Sequence, residues 1–257
     1  MTPASGNAAS DRDSVPFGQR DVPPEEKPGL VRGVFDSVAQ RYDLMNDLMS
    51  GGVHRLWKRA MLDTLRPRPG WTLVDLAGGT GDIAFAFLER VRNQGRVIVC
   101  DLTPAMLEVG RDRALDRALL GGIDWIAGAA EHIPLADRSA DAVTIAFGLR
   151  NVTDMQAVLS EVRRVLKPGG RFLCLEFSRC VVPGIDRLYE LYSFAVLPRL
   201  GQAVTGDVEA YRYLVESIRR FPPQEELARH LTAAGLARVN WRNLSGGIAA
   251  LHWGWRV

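Results

Sequence analysis

Apolar residues along this chain switch between two spacings, and the switches mark its elements. From Leu30, the residues Val31, Val34, Phe35, Val38, Tyr42, Met45 and Met49 recur at intervals of three and four, which places them on one helical face. A helix packed by that stripe against the body of the protein is predicted. The pattern then shortens to compact apolar runs. Thr72–Leu76 reads as a buried strand that runs into Gly78-Gly79-Thr80-Gly81, and a helical pattern resumes from Ile83 to Leu88. Arg96–Asp101 is a second strand, followed by Thr103-Pro104, an N-cap residue with proline at the first helical position. Further strands are expected over 123–126, 142–147 and 171–177. Between the last two, Thr153 and Gln156 stand at capping-box spacing and open a helix whose Met155, Val158, Leu159, Val162, Val165 and Leu166 share a face; Lys167-Pro168-Gly169-Gly170 ends it.

Five strands alternating with helices imply a parallel sheet covered on both faces, a doubly wound α/β fold. The end of the chain departs from that rhythm. A helix over 222–234, stopped by Gly235, leads to alternating Val239, Trp241 and Asn243, then Ser245-Gly246-Gly247, then alternating Leu251, Trp253 and Trp255. Alternation on both sides of a glycine turn predicts an antiparallel hairpin. A Rossmann-like sheet finished in this way is untypical of dinucleotide dehydrogenases and matches the α/β fold of class I S-adenosylmethionine-dependent methyltransferases. The expected organisation is a flexible N-terminal tail over 1–28, rich in Ala, Ser, Pro and charge, and a single domain over 29–257 with a substrate-side insertion over 180–221.

Composition narrows the field without choosing a function. With 257 residues, 47% hydrophobic and 24% charged, the chain is of globular type, and Lys+Arg 32 against Asp+Glu 30 leaves a net charge of +2. No nucleic-acid partner is expected from so weak a field. Cys100, Cys174 and Cys180 lack ligand or pairing spacing, as do His54, His132, His230 and His252, so neither a disulfide framework nor a metal is expected. No run reaches the ~18 apolar residues that span a bilayer, and a cytoplasmic location follows as an expectation.

The glycine loop carries the first chemistry. Gly79-Thr80-Gly81-x-x-Ala84 fits the dinucleotide fingerprint, and Asp101 ends the next strand about 20 residues on, so a nicotinamide oxidoreductase could use the same loop. Asp75, just before Gly78, discriminates. Beside a pyrophosphate it adds like-charge repulsion, whereas an α-ammonium and a sulfonium are stabilised by it. S-adenosylmethionine carries both cations and no phosphate. Asp101 then accepts hydrogen bonds from the ribose hydroxyls, charge-assisted bonds worth roughly 1.5–3 kcal/mol.

Beyond the loop, four stretches resemble the ubiquinone/menaquinone biosynthesis C-methyltransferase family. They are Phe35-Asp-Ser-Val-Ala-Gln-Arg-Tyr-Asp-Leu-Met-Asn46 with Ser50-Gly-Gly-Val-His-Arg-Leu-Trp57; Leu73-Val-Asp-Leu-Ala-Gly-Gly-Thr-Gly-Asp82; Phe147-Gly-Leu-Arg-Asn-Val-Thr-Asp154; and Arg164-Val-Leu-Lys-Pro-Gly-Gly-Arg171 with Leu175-Glu-Phe-Ser178. The resemblance implies methyl transfer from S-adenosylmethionine to a ring carbon of a polyprenyl quinol, demethylmenaquinol first among the candidates. It places cofactor contacts on Thr80, Asp101, Ala129, Ala130 and Ala146. Ala129 stands where the family commonly has Asp or Asn against the adenine amine, and Ala146 where Ser is common. Adenine recognition is therefore expected to use backbone groups and apolar contacts such as Leu102.

Carbon methylation needs a nucleophilic ring carbon, which a hydroquinone supplies once a phenol proton leaves. Arg150 and Asn151, just past the fourth strand, are the expected catalytic pair: a guanidinium can stabilise a phenolate, and Asn151 can help to position a water that takes the proton. His54 and Tyr42, with Asp43, come from the N-terminal signature and are further catalytic candidates, His54 for its ordinary pKa near neutrality. Each also has a plain structural reading, as a hydrogen-bonded turn, a core residue or a surface residue. Over 180–221, Leu188, Leu191, Tyr192, Phe194, Val196, Leu197 and Leu200 are interleaved with Arg187, Arg199, Arg212, Arg219 and Arg220. That pattern suits either a helical insertion with an apolar core face, or a lid and tunnel for a prenyl chain beside an anionic membrane surface. Peripheral membrane contact and a homodimer are both compatible with it.

Overall fold

The computed structural model describes residues 14–39, 42–182 and 208–257. Its centre is a seven-stranded sheet of β3 (Thr72–Leu76), β4 (Arg96–Asp101), β5 (Ile123–Ala127), β6 (Ala140–Ala146), β7 (Leu166–Phe177), β8 (Ala237–Leu244) and β9 (Ala249–Trp255), in the order β5-β4-β3-β6-β7-β9-β8. The first five are parallel neighbours, and β9 pairs antiparallel with both β7 and β8. The expected C-terminal hairpin is thus present, turning at Ser245–Gly247. Strand order reverses between β3 and β6, since β4 and β5 are added on one side of β3, and β6 and β7 on the other, and open α/β sheets form a crevice at the carboxyl ends of strands at such a point.

Alternation along the strands explains the two layers. Leu73, Val97, Val99, Leu173 and Leu175 face one core; Val74, Ile98, Cys100, Phe172 and Cys174 face the other. Helices α1 (Lys27–Val38), α2 (Tyr42–Ser50), α3 (His54–Leu65), α4 (Asp82–Arg90) and α7 (Val208–Arg220) cover the first face, while α6 (Met155–Val165) and α8 (Gln224–Ala233) cover the second. Buried on both sides, the strands read as continuous apolar runs rather than as polar and apolar in turn. Helix α5 (Pro104–Asp116) follows β4 with Thr103 at the N-cap position and Pro104 as its first residue, though the Thr103 side chain makes no capping bond to the helix.

Four expectations are corrected. The apolar stripe from Val31 to Met49 is divided between α1 and α2 instead of forming one helix. The cap of α6 is Asp154, whose side chain accepts from the amides of Gln156 and Ala157; Thr153 lies outside the helix, its amide bonded to Glu131. The chain passes from β5 to β6 through residues 128–139 with no helix, so this crossover breaks the strict alternation. Finally, the second half of the expected tail is folded. β1 (Val15–Phe17) and β2 (Arg20–Val22) form a hairpin, Phe17 stacks on Tyr213 with ring centroids 4.4 Å apart, and Arg220 donates to Asp21 at 2.7 Å. A short apolar triplet with two aromatic and basic partners far along the chain leaves no local periodicity to read. Of the insertion over 180–221, residues 183–207 lie outside the described residues, with the apolar positions from Leu188 to Leu200.

Candidate active site

At the carboxyl ends of β3, β4 and β6 the structure opens two adjoining cavities that share Ala77. The larger takes in Gly79, Asp101, Leu102, Ala129, Ala130 and Asn151; the smaller takes in Lys58, Asp75, Gly78, Thr80, Asp82 and Ala146. The predicted cofactor residues are divided between the two chambers, apart from Gly81, which lines neither. Pro28, Val31 and Phe35 of α1 face the larger one from the N-terminal segment.

The backbone around these cavities is strained. Ala77 and Phe147, each directly following a central strand, hold φ values of +47° and +60°. Left-handed backbone at residues other than glycine costs on the order of 1–3 kcal/mol and gathers at functional sites. The glycines beside them are required by close approach. A Cβ on Gly148 would meet that of Ala77 at 2.4 Å, and one on Gly78 would lie 2.8 Å from Asp75 Oδ2 and 2.8 Å from Val99 Cγ1.

Asp75 is 1% exposed. Its Oδ1 accepts from Thr144 Oγ1 at 2.8 Å, across the β3–β6 register that pairs the two residues, and its Oδ2 has no partner. Burial pushes its carboxyl up to about 7, against the opposing effects of the Thr144 bond and Lys58 and with help from Asp101 and Asp82. An unpartnered buried carboxylate oxygen costs free energy until a donor or cation meets it. That free acceptor fits the ammonium of an amino-acid-bearing cofactor.

Asp101 closes the floor of the larger cavity. Its Oδ2 accepts from the Gly79 amide at 2.8 Å and its Oδ1 from the Thr103 amide at 2.9 Å, which ties the glycine turn to the start of α5. Burial raises its carboxyl above the usual carboxylate range, and these two amides oppose the shift. A carboxylate so held keeps lone pairs for further hydroxyl donors. Beside it, sequence reasoning missed a cationic frame. Lys58 and Arg113 each donate to Asp82 at 2.7 Å, and Arg113 also donates to Thr80 Oγ1 at 2.5 Å. Burial alone would raise the Asp82 carboxyl, yet Lys58 and Arg113 hold it well below the ordinary range. Only the Asp at the first turn of α4 was a local signal for this frame, because Lys58 and Arg113 arrive from α3 and α5.

The catalytic candidates separate. Asn151 lines the larger cavity, its Oδ1 accepting from Tyr213 Oη at 3.0 Å. Burial raises the Tyr213 hydroxyl, so it stays protonated and donating, which leaves the Asn151 amide nitrogen as a donor. Arg150 is absent from the lining of either chamber. Its guanidinium, 3% exposed, donates from Nη1 to Glu176 Oε1 and to the Phe147 carbonyl, both at 2.6 Å, and so is engaged outside the two chambers. A buried carboxylate one strand away has claimed it. His54 is likewise away from both chambers. It is 1% exposed with Nε2 3.0 Å from Asp47 Oδ1, and burial first, then Lys58, lowers its pKa and keeps the ring neutral. The Tyr42 and Asp43 side chains lie outside the described residues.

Sheet order, antiparallel terminal pair, glycine turn after β3 and acid at the end of β4 together define a class I methyltransferase fold. Solved structures agree: a SAM-dependent methyltransferase from Thermotoga maritima, 20% identical, superposes with a TM-score of 0.62 over 88% of this chain and 100% of its own. Residues 21–256 match the model of the ubiE/COQ5 methyltransferase family. A Bradyrhizobium sp. (strain BTAi1 / ATCC BAA-1182) protein named ubiquinone/menaquinone biosynthesis C-methyltransferase UbiE is 57% identical over 94% of this chain and 96% of its own. A Brucella abortus (strain S19) protein of the same name is 53% identical over 94% and 90%. The chain belongs to the ubiE/COQ5 methyltransferase family.

Proposed function

We propose that the chain transfers a methyl group from S-adenosylmethionine to a ring carbon of a polyprenyl quinol, with demethylmenaquinol as the leading substrate and a benzoquinol as the second. The observation that carries the substrate class is the near full-length likeness to relatives named for that reaction. When bound, the cofactor supplies an electrophilic methyl group on a sulfonium. Asp75 would hold its ammonium in the smaller chamber, Thr80 and the turn from Gly78 to Gly81 its amino-acid end, and Asp101 its ribose. Leu102, Ala129 and Ala130 would flank adenine in the larger chamber, with Ala146 in the smaller.

The chain's own part in the chemistry falls to few groups. The larger cavity is walled by Val31, Phe35, Met106 and Phe147, which exclude water from a ring placed there. Asn151 stands in the wall of that cavity, its Nδ2 donating to the Phe147 carbonyl at 3.5 Å, and its second N–H would stabilise the oxygen charge that develops as a water takes the phenol proton. Arg150 acts as a positioning residue: by holding Phe147 O and Glu176 it fixes the 149–151 turn that carries Asn151. The reduced quinol is the substrate because only it can place negative charge on the ring carbon. No helix among the described residues is long and apolar enough to cross a membrane, and peripheral contact at a membrane face would present the prenyl chain. Incubation with labelled cofactor and short-chain naphthoquinol and benzoquinol tests the reading, and ring-carbon label in either supports it; absence of label in both refutes it.

A further inference from the structure

Ala129 offers the larger cavity no side-chain acceptor, while Glu131, two residues on in the same wall, carries a carboxylate. Resting on the cofactor reading above, we propose that Glu131 accepts the hydrogen bond of the adenine exocyclic amine and thereby sets base specificity. Glu131 lines the larger cavity together with Ala129, Ala130 and Leu102. Its Oε1 is already used, accepting from the Thr153 amide at 2.7 Å and the Asp154 amide at 3.4 Å. Its Oε2 has no hydrogen bond or ion pair among the described residues.

Of the other side-chain acceptors in the same wall, Asn151 Oδ1 takes the Tyr213 hydroxyl, and Asp101 stands at the ribose end of the cofactor reading above. Glu131 is also fixed in place from both sides. Its own segment is tied down by the Ile133 amide on Glu161 Oε2 at 2.8 Å, and its carboxylate by the amides that open α6. A carboxylate held at one oxygen and free at the other is preorganised to accept from an N–H at little entropic cost. Without it, an amine enclosed between Leu102 and Ala129 would lose its water partner and gain none.

Glu131→Gln separates this role from the structural one. The variant keeps a carbonyl oxygen for the Thr153 amide, and its second terminal atom becomes a donor that repels the amine. Calorimetric titration uses three ligands: S-adenosylhomocysteine, its purine analogue lacking the amine, and its 6-oxo analogue. The wild type is expected to prefer the adenine form over the purine form by about tenfold or more, as a charge-assisted bond implies. In Glu131→Gln that preference collapses to about unity, the 6-oxo form gains, and adding Ala129→Asn restores the preference for adenine. Retention of the wild-type preference in Glu131→Gln overturns the proposal, and so does an equal loss for all three ligands, which marks a purely structural residue. Asp101→Ala in parallel isolates the underlying reading: it should weaken all three ligands alike, and if it weakens none, the cofactor placement itself fails.

Discussion

Cofactor affinity should depend on pH through Asp75, with a sign that the structure dictates. The carboxyl sits near 7 in the cofactor-free chain because burial disfavours its charge and Oδ2 has no partner. The ammonium needs the ionised form, so binding releases the proton. Affinity therefore rises with pH and levels off above about 7. For a ligand that binds only the ionised form, the dissociation constant scales as one plus the protonated-to-ionised ratio, which makes it about tenfold weaker at pH 6 than at pH 8. Calorimetry in two buffers of different ionisation enthalpy should count about 0.9 proton released per cofactor at pH 6. Asp75→Asn should bind weakly at every pH and release no proton from this site. The same group sets a stability trade. A raised carboxyl stabilises the fold fully below the ordinary Asp range and loses that contribution as pH climbs through about 7, an effect of at most about 4 kcal/mol. Cofactor-free Asp75→Asn should thus be the more stable protein at pH 8, with the difference fading toward pH 5. A wild-type affinity that stays flat from pH 5.5 to 8.5, or proton uptake on binding, would refute the assignment of Asp75 to the ammonium.

Other residues give separate tests. Asp101→Ala should weaken the cofactor by about tenfold or more in calorimetry, since it removes charge-assisted acceptors, while thermal unfolding shifts far less. Arg150→Ala strands Glu176 in the interior, so chemical denaturation should show a loss of about 3–5 kcal/mol, part of it recovered by adding Glu176→Gln; a neutral Arg150→Ala would sever the link between the pair and the turn. His54 has a lowered pKa, so its contribution to stability holds above the ordinary His value and is lost as pH falls; His54→Gln should flatten the acid limb of stability and leave the pH profile of methylation unchanged. A shifted activity profile in that variant would return His54 to the chemistry.

Much of the fold was legible because its signals are local. Continuous apolar strands, the glycine turn and the alternation around Ser245-Gly246-Gly247 each declare themselves within one short segment, whereas the order of the strands in the sheet does not. In the candidate site, Gly78, Gly79, Thr80 and Asp101 lie where local pattern puts them, at cavity walls just past the ends of β3 and β4. Partners that converge from afar were not legible. Nothing near Arg150 announces that Glu176, 26 residues on, will occupy its guanidinium, and nothing near Asp82 announces Lys58 and Arg113. Glu131 was overlooked for the same reason, since its value depends on which of its oxygens Thr153 leaves free. The β1–β2 hairpin was read as tail because its three-residue strands draw their stability from Tyr213 and Arg220 rather than from their own pattern.

The measurement that bears most directly on the proposed activity is single-turnover transfer of a labelled methyl from S-adenosylmethionine to a short-chain demethylmenaquinol, run beside its oxidised quinone and a polyprenyl benzoquinol. The account predicts label on the ring carbon of the reduced quinol, none on the oxidised form, and a lower rate in Asn151→Ala with cofactor affinity retained. Label on a phenolic oxygen, equal labelling of the quinone, or no transfer to either quinol by the intact chain would contradict it.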